Sequence, residues 1–196
     1  MNNLPVPEIL FMSDIVREGD PILRKRTEPV SLPPSSEDRR WMELMLDYLK
    51  NSQNEERAAE YGLRAGVGLS ANQIGLNKRM CAVYIQSGEE TVVCELYNPK
   101  IISHSAAMIY LEAGEGCLSV DRYVPGYVPR YARIKVKAAD AQGIEQIYTF
   151  KGYTAIVVQH ELDHLDGMMF YDRIAKDNPY ALPQNVFIEP ALQPPG

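Results

Sequence analysis

Two histidines four residues apart, His160 and His164 in "QHELDHLDG", stand either side of a glutamate, Glu161, within an otherwise apolar run. On a helix, positions i and i+4 lie one turn apart and about 40° apart around the axis, so both rings address one point. Ile156, Val157, Val158, Leu162 and Leu165 cover most of the circumference, which predicts that the histidines are buried. A buried polar group without a partner costs about 1–3 kcal/mol, so two imidazoles and a carboxylate together require a compensating cation. His-Glu-x-x-His is that arrangement: two ring nitrogens bind a metal, and the glutamate, turned about 100° away, serves the water that the metal activates. The alternative is a chance pattern whose histidines bond carbonyls or solvent. Two of the chain's three histidines fall in it, at a core position, which favours the metal.

A third ligand is required. Zinc peptidases that continue His-x-x-Gly-x-x-His would place a histidine where this chain has Phe170, although Gly167 fits. A downstream glutamate would have to be Glu189, in a proline-rich segment without helical periodicity. Cys81 in "RMCAVYI" and Cys94 in "TVVCELY" sit in strand-like apolar runs, where a free cysteine is ordinarily a small core residue. Cys117 in "GEGCLS" has a turn-like glycine context and is the choice over these and His104. A Cys117–His160–His164 set leaves one tetrahedral position open, the catalytic rather than the closed structural pattern. The thiolate suits iron, zinc, nickel or cobalt, and donor identity does not choose among them.

"GVGLSA", residues 66–71, fits the G-x-G-x-x-G/A spacing of dinucleotide sites, but what precedes it, "NEERAAEYGLRA", is not a strand. Its glycines instead let backbone approach a ligand closely. Gln73 follows; taken alone its commoner role is a turn-bonding or surface amide, the other being a donor to a developing oxyanion.

The elements that must position these groups follow from periodicity. A helix is predicted from about Glu37 toward Ser52, N-capped by Ser35 or Ser36, with apolar positions at Trp41, Leu44, Met45 and Tyr48 or Leu49. Strand-like segments follow at 80–86, 91–99, 100–106, 132–139 and 145–152, with "DAQG" (140–143) as a hairpin turn. The segment 153–165 reads as a helix with Thr154 as candidate N-cap and Gly167 just past its end. This order predicts an α+β fold: antiparallel β-sheets packed around a central metal-binding helix, with an N-terminal helix. The 196 residues, 45% hydrophobic, make one catalytic domain over 1–196, of which 175–196 is an extended C-terminal tail. A net charge of −6 argues against bare nucleic acid or an anionic membrane as main partner. No long apolar run or signal-like start appears, and the odd, irregularly spaced cysteines do not form a disulfide framework, so a cytoplasmic protein is expected.

Taken in order, "GVGLSANQ" (66–73), "EGCLS" (115–119) and "QHELDH" (159–164) resemble the three motifs of the peptide deformylases. The resemblance runs over about residues 13–173, and "VDRYVPGYVPRYARIKVKA" and "GMMFYDRI" are similar to the type 2 branch found in Gram-positive bacteria and mycoplasmas. Ser70 stands where alanine is usual and Asn72 at a variable position often occupied by proline. The resemblance implies hydrolysis of the N-formyl group from the initiator methionine of nascent peptides, with release of formate. It implies Cys117, His160 and His164 as metal ligands and Glu161 as the acid–base group. Gln73 and the backbone N–H of Leu118 would hold the oxyanion, and backbone at Val67, Gly68 and Gly116 would align the substrate as an added strand. It further implies Fe(II) as the physiological ion, with zinc, nickel or cobalt as alternatives, and transient contact with the ribosome, although the ribosome-docking helical tail of another branch is not visible. Pairing of Glu115 with Arg130 would brace the ligand loop. The rivals are a metallopeptidase or other amidase acting on unformylated substrates, a binding module that captures nascent N-termini without turnover, and a structural Cys/His zinc protein.

Overall fold

The computed structural model describes residues 6–87, 90–183 and 188–190. The first long helix, α1, spans Ser36–Ser52. Ser35 is its N-cap: the Ser35 hydroxyl accepts from Asp38 N–H at 3.0 Å, and the Asp38 carboxylate accepts from Ser35 N–H at 3.2 Å. The expected apolar stripe, Trp41, Leu44, Met45, Tyr48 and Leu49, is the buried face. A short second helix, α2, covers Glu55–Tyr61, in the segment that sequence marked only as not a strand. Asn54 caps it, and Gly62 ends it at φ 62°.

Strands β1 (Gly68–Ser70), β2 (Met80–Ser87), β3 (Glu90–His104), β6 (Arg133–Ala139) and β7 (Glu145–Lys151) form an antiparallel sheet in the order β1-β2-β3-β6-β7. β1 therefore lies at an edge. β3 is one long strand where two segments are expected from sequence; the break is a bulge between Tyr97 and Lys100. Pro99, which has no N–H to donate, sits there, and Asn98 takes φ 53° while its amide brackets the Val30 backbone at 2.8 Å on both sides. Asp140 closes the β6–β7 hairpin by accepting from the N–H groups of Gln142 and Ile144, both at 2.9 Å.

A second sheet, β5-β4-β8, joins Met108–Tyr110 (β4) to Arg130–Tyr131 (β5) antiparallel and to Ile188–Pro190 (β8) parallel. The α+β expectation of antiparallel sheets around a helix holds, with this one parallel pairing added. Part of the segment expected as an extended tail thus enters a sheet; 184–187 and 191–196 lie outside the described residues.

The central helix, α3, spans Gly152–Leu165. Thr154 is not its N-cap. β7 runs straight into the helix through Gly152 at φ 55°, whose N–H donates to Ala132 O at 3.0 Å, so Thr154 already lies in the first turn. The far end is as expected: Gly167, at φ 77°, donates to His164 O at 3.0 Å. Alternation along β2 serves two cores. Met80 and Ala82 pack with α1, while Cys81 and Val83 pack with Val158 and Leu162 of α3. Both strand-borne cysteines contribute to this second core, Cys94 from its margin. Every residue of α3 from Ala155 to Leu165 is buried, including the histidines and the acids. A third, smaller cluster, with Val120, Val128 and Phe170, surrounds Cys117.

Candidate metal centre

On α3 the His160 and His164 Nε2 atoms are 3.1 Å apart, and His164 Nε2 lies 3.2 Å from Cys117 Sγ. The ligand atoms of these three residues all fall within 4.8 Å of one another, and all three residues are buried. Three lone pairs thus converge with room for few protons among them. The two rings respond in opposite senses. Burial and the neighbouring His160 push His164 well below the usual imidazole range; His160, although burial opposes it, is raised by Cys117 and Glu115. One soft donor and two imidazoles meeting at a buried point fit a divalent transition metal, since a cation satisfies all three at once.

The loop bearing Cys117 is held through its backbone. Arg64 donates to Cys117 O at 2.6 Å, and Arg17 to Leu118 O at 2.8 Å. His160 Nδ1 meets Glu115 Oε2 at 2.8 Å, and Arg130 grips Glu115 with a two-pronged pair of bonds at 2.8 and 2.9 Å. The expected Glu115–Arg130 pair is therefore present, and it continues: Arg130 reaches Asp163 at 2.5 Å, and Arg173 reaches the same carboxylate. Burial alone would raise Glu115; the Arg130 guanidinium overrides it and, with His160, brings Glu115 down to about 2. An ionised Glu115 fixes the His160 ring with Nε2 toward the other ligands.

Glu161 projects from α3 toward β1. Its Oε2 accepts from Ser70 Oγ at 2.6 Å, and its carboxylate lies so close to Gly68 that a Cβ there would come within 2.3 Å of Oε1. Burial pushes the Glu161 carboxyl up, against the pull of His160 and Ser70. Gln73 is buried rather than at the surface. Ser70 N–H donates to its Oε1 at 2.9 Å, which turns Nε2 toward Cys117 Sγ, 3.5 Å away, and Ser119 Oγ, 3.2 Å away. Asn72 donates to His164 O at 2.6 Å.

All the site residues expected from sequence, except the fully buried His164, line one cavity of about 420 Å³. Ile85, Leu111, Tyr153, Ile156 and Val157 form its apolar wall. Sequence reasoning missed Ser70 and Asn72, which it took as neutral departures from a motif, and Arg17, Arg64, Asp163 and Arg173, whose contacts join separate segments of the chain. Only Ser70, two residues from Gly68 on an alternating segment, left a signal that it faces the same side.

The comparisons with known proteins agree with this geometry. The family model described as polypeptide deformylase matches residues 12–179. The chain is 54% identical over 178 residues to peptide deformylase 2 of Bacillus cereus, covering 90% of this chain and 97% of that one. It is 51% identical to peptide deformylase 2 of Bacillus subtilis over 178 residues, with the same coverage. Among solved structures, the peptide deformylase of Thermus thermophilus superposes with TM-score 0.69 at 33% identity, covering 86% of this chain and 87% of that one. A class I type b peptide deformylase from Acinetobacter baumannii gives 0.67 at 31% identity, covering 85% and 99%. A buried Cys–His–His triangle with a glutamate beside it, on a chain matched along nearly its whole length, belongs to the polypeptide deformylase family, in the branch of the relatives called peptide deformylase 2.

Proposed function

We propose that this chain, acting as one catalytic unit, hydrolyses the formyl amide at the N-terminus of nascent polypeptides that begin with formyl-methionine, yielding a free amino terminus and formate. The observation that carries the reading is the meeting of Cys117, His160 and His164 at one buried point, with Glu161 beside them and an open cavity in front.

Cys117, His160 and His164 would hold a single divalent metal, which when bound supplies a Lewis acid and lowers the pKa of water. Fe(II) is the ion proposed for the cell, with zinc, nickel or cobalt able to occupy the same donors; a thiolate ligand makes the iron form sensitive to oxidation. Glu161 accepts the proton of the attacking water as oxygen adds to the formyl carbon, then delivers it to the departing amine nitrogen as the carbon–nitrogen bond breaks. The formyl oxygen becomes an oxyanion, met by the Gln73 Nε2 amide and the Leu118 N–H. Among the described residues the Leu118 N–H has no other acceptor. β1 is the outer strand of its sheet, so an extended peptide can be added along it by backbone bonds at Val67, Gly68 and Gly116, a mode that tolerates many sequences. The Val67 carbonyl already accepts from Tyr84 N–H at 2.9 Å, while among the described residues the Val67 N–H has no backbone acceptor. The apolar wall of the cavity suits a methionine side chain.

The reading places the enzyme in the cytoplasm with transient access to the ribosome and no direct nucleic-acid contact. No helix among the described residues is long and apolar enough to cross a membrane. The test is hydrolysis of formyl-Met-Ala-Ser beside its acetylated and free-amine counterparts: activity on the formyl peptide alone supports the reading, and equal rates on all three reject it.

A further inference from the structure

Beyond the groups that touch substrate, we propose that Ser70 is a positioning residue for this site, its hydroxyl setting which oxygen of Glu161 faces the reaction. Ser70 ends β1 in extended conformation, with no exposed surface, and its Oγ lies 2.6 Å from Glu161 Oε2 and 3.0 Å from Glu161 O. A hydroxyl has one proton to give, and the shorter contact, to a charged acceptor, takes it. Among the described residues no other donor reaches the Glu161 side chain. Oε1, by contrast, lies against the Cα of Gly68, and Glu161 lines the cavity.

The terminal carboxylate torsion is soft, so a glutamate held only by its own rotamers would sweep its two oxygens through the site. The Ser70 bond holds Oε2 and leaves Oε1, beside Gly68 and without a donor among the described residues, for proton transfer. The same residue acts a second time through its backbone, because Ser70 N–H fixes Gln73 Oε1 at 2.9 Å. One residue thus orients the proton acceptor and the oxyanion donor together. Replacing Ser70 by alanine removes the first of these links and keeps the second.

The inference rests on the deformylase reading, and the two fail separately. Inactivity of the wild-type holoenzyme on a formyl peptide would end that reading, whereas Ser70 is judged on the ratio of variant to wild type. The experiment compares wild-type, Ser70→Ala and Ser70→Thr holoenzymes of measured metal content on formyl-Met-Ala-Ser. Ser70→Ala is expected to lower kcat on the order of tenfold with KM and metal content unchanged; Gly68 still confines the carboxylate, so the loss stays below the roughly hundredfold of a full ångström of misplacement. Ser70→Thr, which keeps a hydroxyl in an extended backbone, is expected to recover most of that loss. In the infrared, the carboxylate stretch identified by its disappearance in Glu161→Gln should shift in Ser70→Ala and not in Ser70→Thr. A Ser70→Ala enzyme within about twofold of wild-type kcat, a loss confined to KM, or an unshifted Glu161 band would overturn the assignment.

Discussion

Of the described glycines, Gly68 leaves the least room for a Cβ, which would run into Glu161, and this makes a sharp prediction for Gly68→Ala. Gly68 is not among the glycines with positive φ, so its backbone accepts alanine without strain. The added methyl is the whole perturbation. Built ideally, it would stand 2.3 Å from Glu161 Oε1, 2.7 Å from Cδ and 2.8 Å from Cγ, where ordinary contact begins at 3.4 Å. Relief requires the carboxylate to retreat by about 1 Å, a displacement that costs on the order of a hundredfold in rate when it falls on a catalytic group. Retreat also stretches the Ser70 bond; the three atoms nearest the new methyl all belong to Glu161 and none to Cys117, His160 or His164, which are expected to keep their places. Overpacking of this kind costs about 1–3 kcal/mol of stability, too little to unfold a chain of this size. Steady-state kinetics on formyl-Met-Ala-Ser, with metal analysis and thermal melts of the same preparations, should show kcat down about a hundredfold, metal content unchanged and a modestly lower Tm. A Gly68→Ala enzyme within about threefold of wild-type kcat, or one whose whole loss lies in KM, would refute the claim that this glycine exists to admit Glu161.

Two further perturbations probe the scaffold. Arg130→Met takes the guanidinium from buried Glu115, leaving it only His160, and leaves Asp163 with Arg173 alone, so unfolding free energy should fall by about 3–5 kcal/mol and metal affinity by about 10- to 100-fold; chelator competition and denaturant melts measure the two, and Arg130→Lys should rescue little because an ammonium cannot make the two-pronged contact. Asp38, which burial would raise, is held below the usual carboxylate range by Lys78 at 2.5 Å and by Ser35. A group depressed in the folded state stabilises above its unfolded pKa, about 4, and loses that contribution as pH falls through the lower folded value. Denaturant melts between pH 7 and 3 should therefore show an acid-side decline that is shallower in Asp38→Asn, and identical slopes for the two proteins would contradict the assignment.

What sequence could reveal tracks the range of the interactions. His160, Glu161 and His164 are legible because a single helical period places them, and Gly167 because a helix must end. The capping box at Ser35 and the Asp140–Gly143 hairpin are likewise local. Cys117 emerges by elimination, since its loop context is unlike the strands of Cys81 and Cys94. The strands β4, β5 and β8 are two or three residues long and show no usable alternation; β8 also pairs with a strand eighty residues earlier, Met108 with Ile188, which no local pattern encodes. The N-terminus of α3 misleads because a tertiary bond, Gly152 N–H to Ala132 O, starts the helix where a capping side chain is expected at Thr154. Asp163 lies within the quoted motif yet has no visible role there; its partners Arg130 and Arg173 come from outside the helix. Ser70 and Asn72 look like neutral departures from a motif until the fold sets them against Glu161 and His164 O.

The central claim is that a thiolate and two imidazoles share one ion. X-ray absorption at the metal edge of anaerobically purified protein measures this directly, repeated on Cys117→Ser. One sulfur scatterer at about 2.3 Å with two imidazole nitrogens at about 2.0–2.1 Å, the sulfur lost in the variant, is the predicted result. A metal shell without sulfur, or a spectrum that Cys117→Ser leaves unchanged, would contradict it.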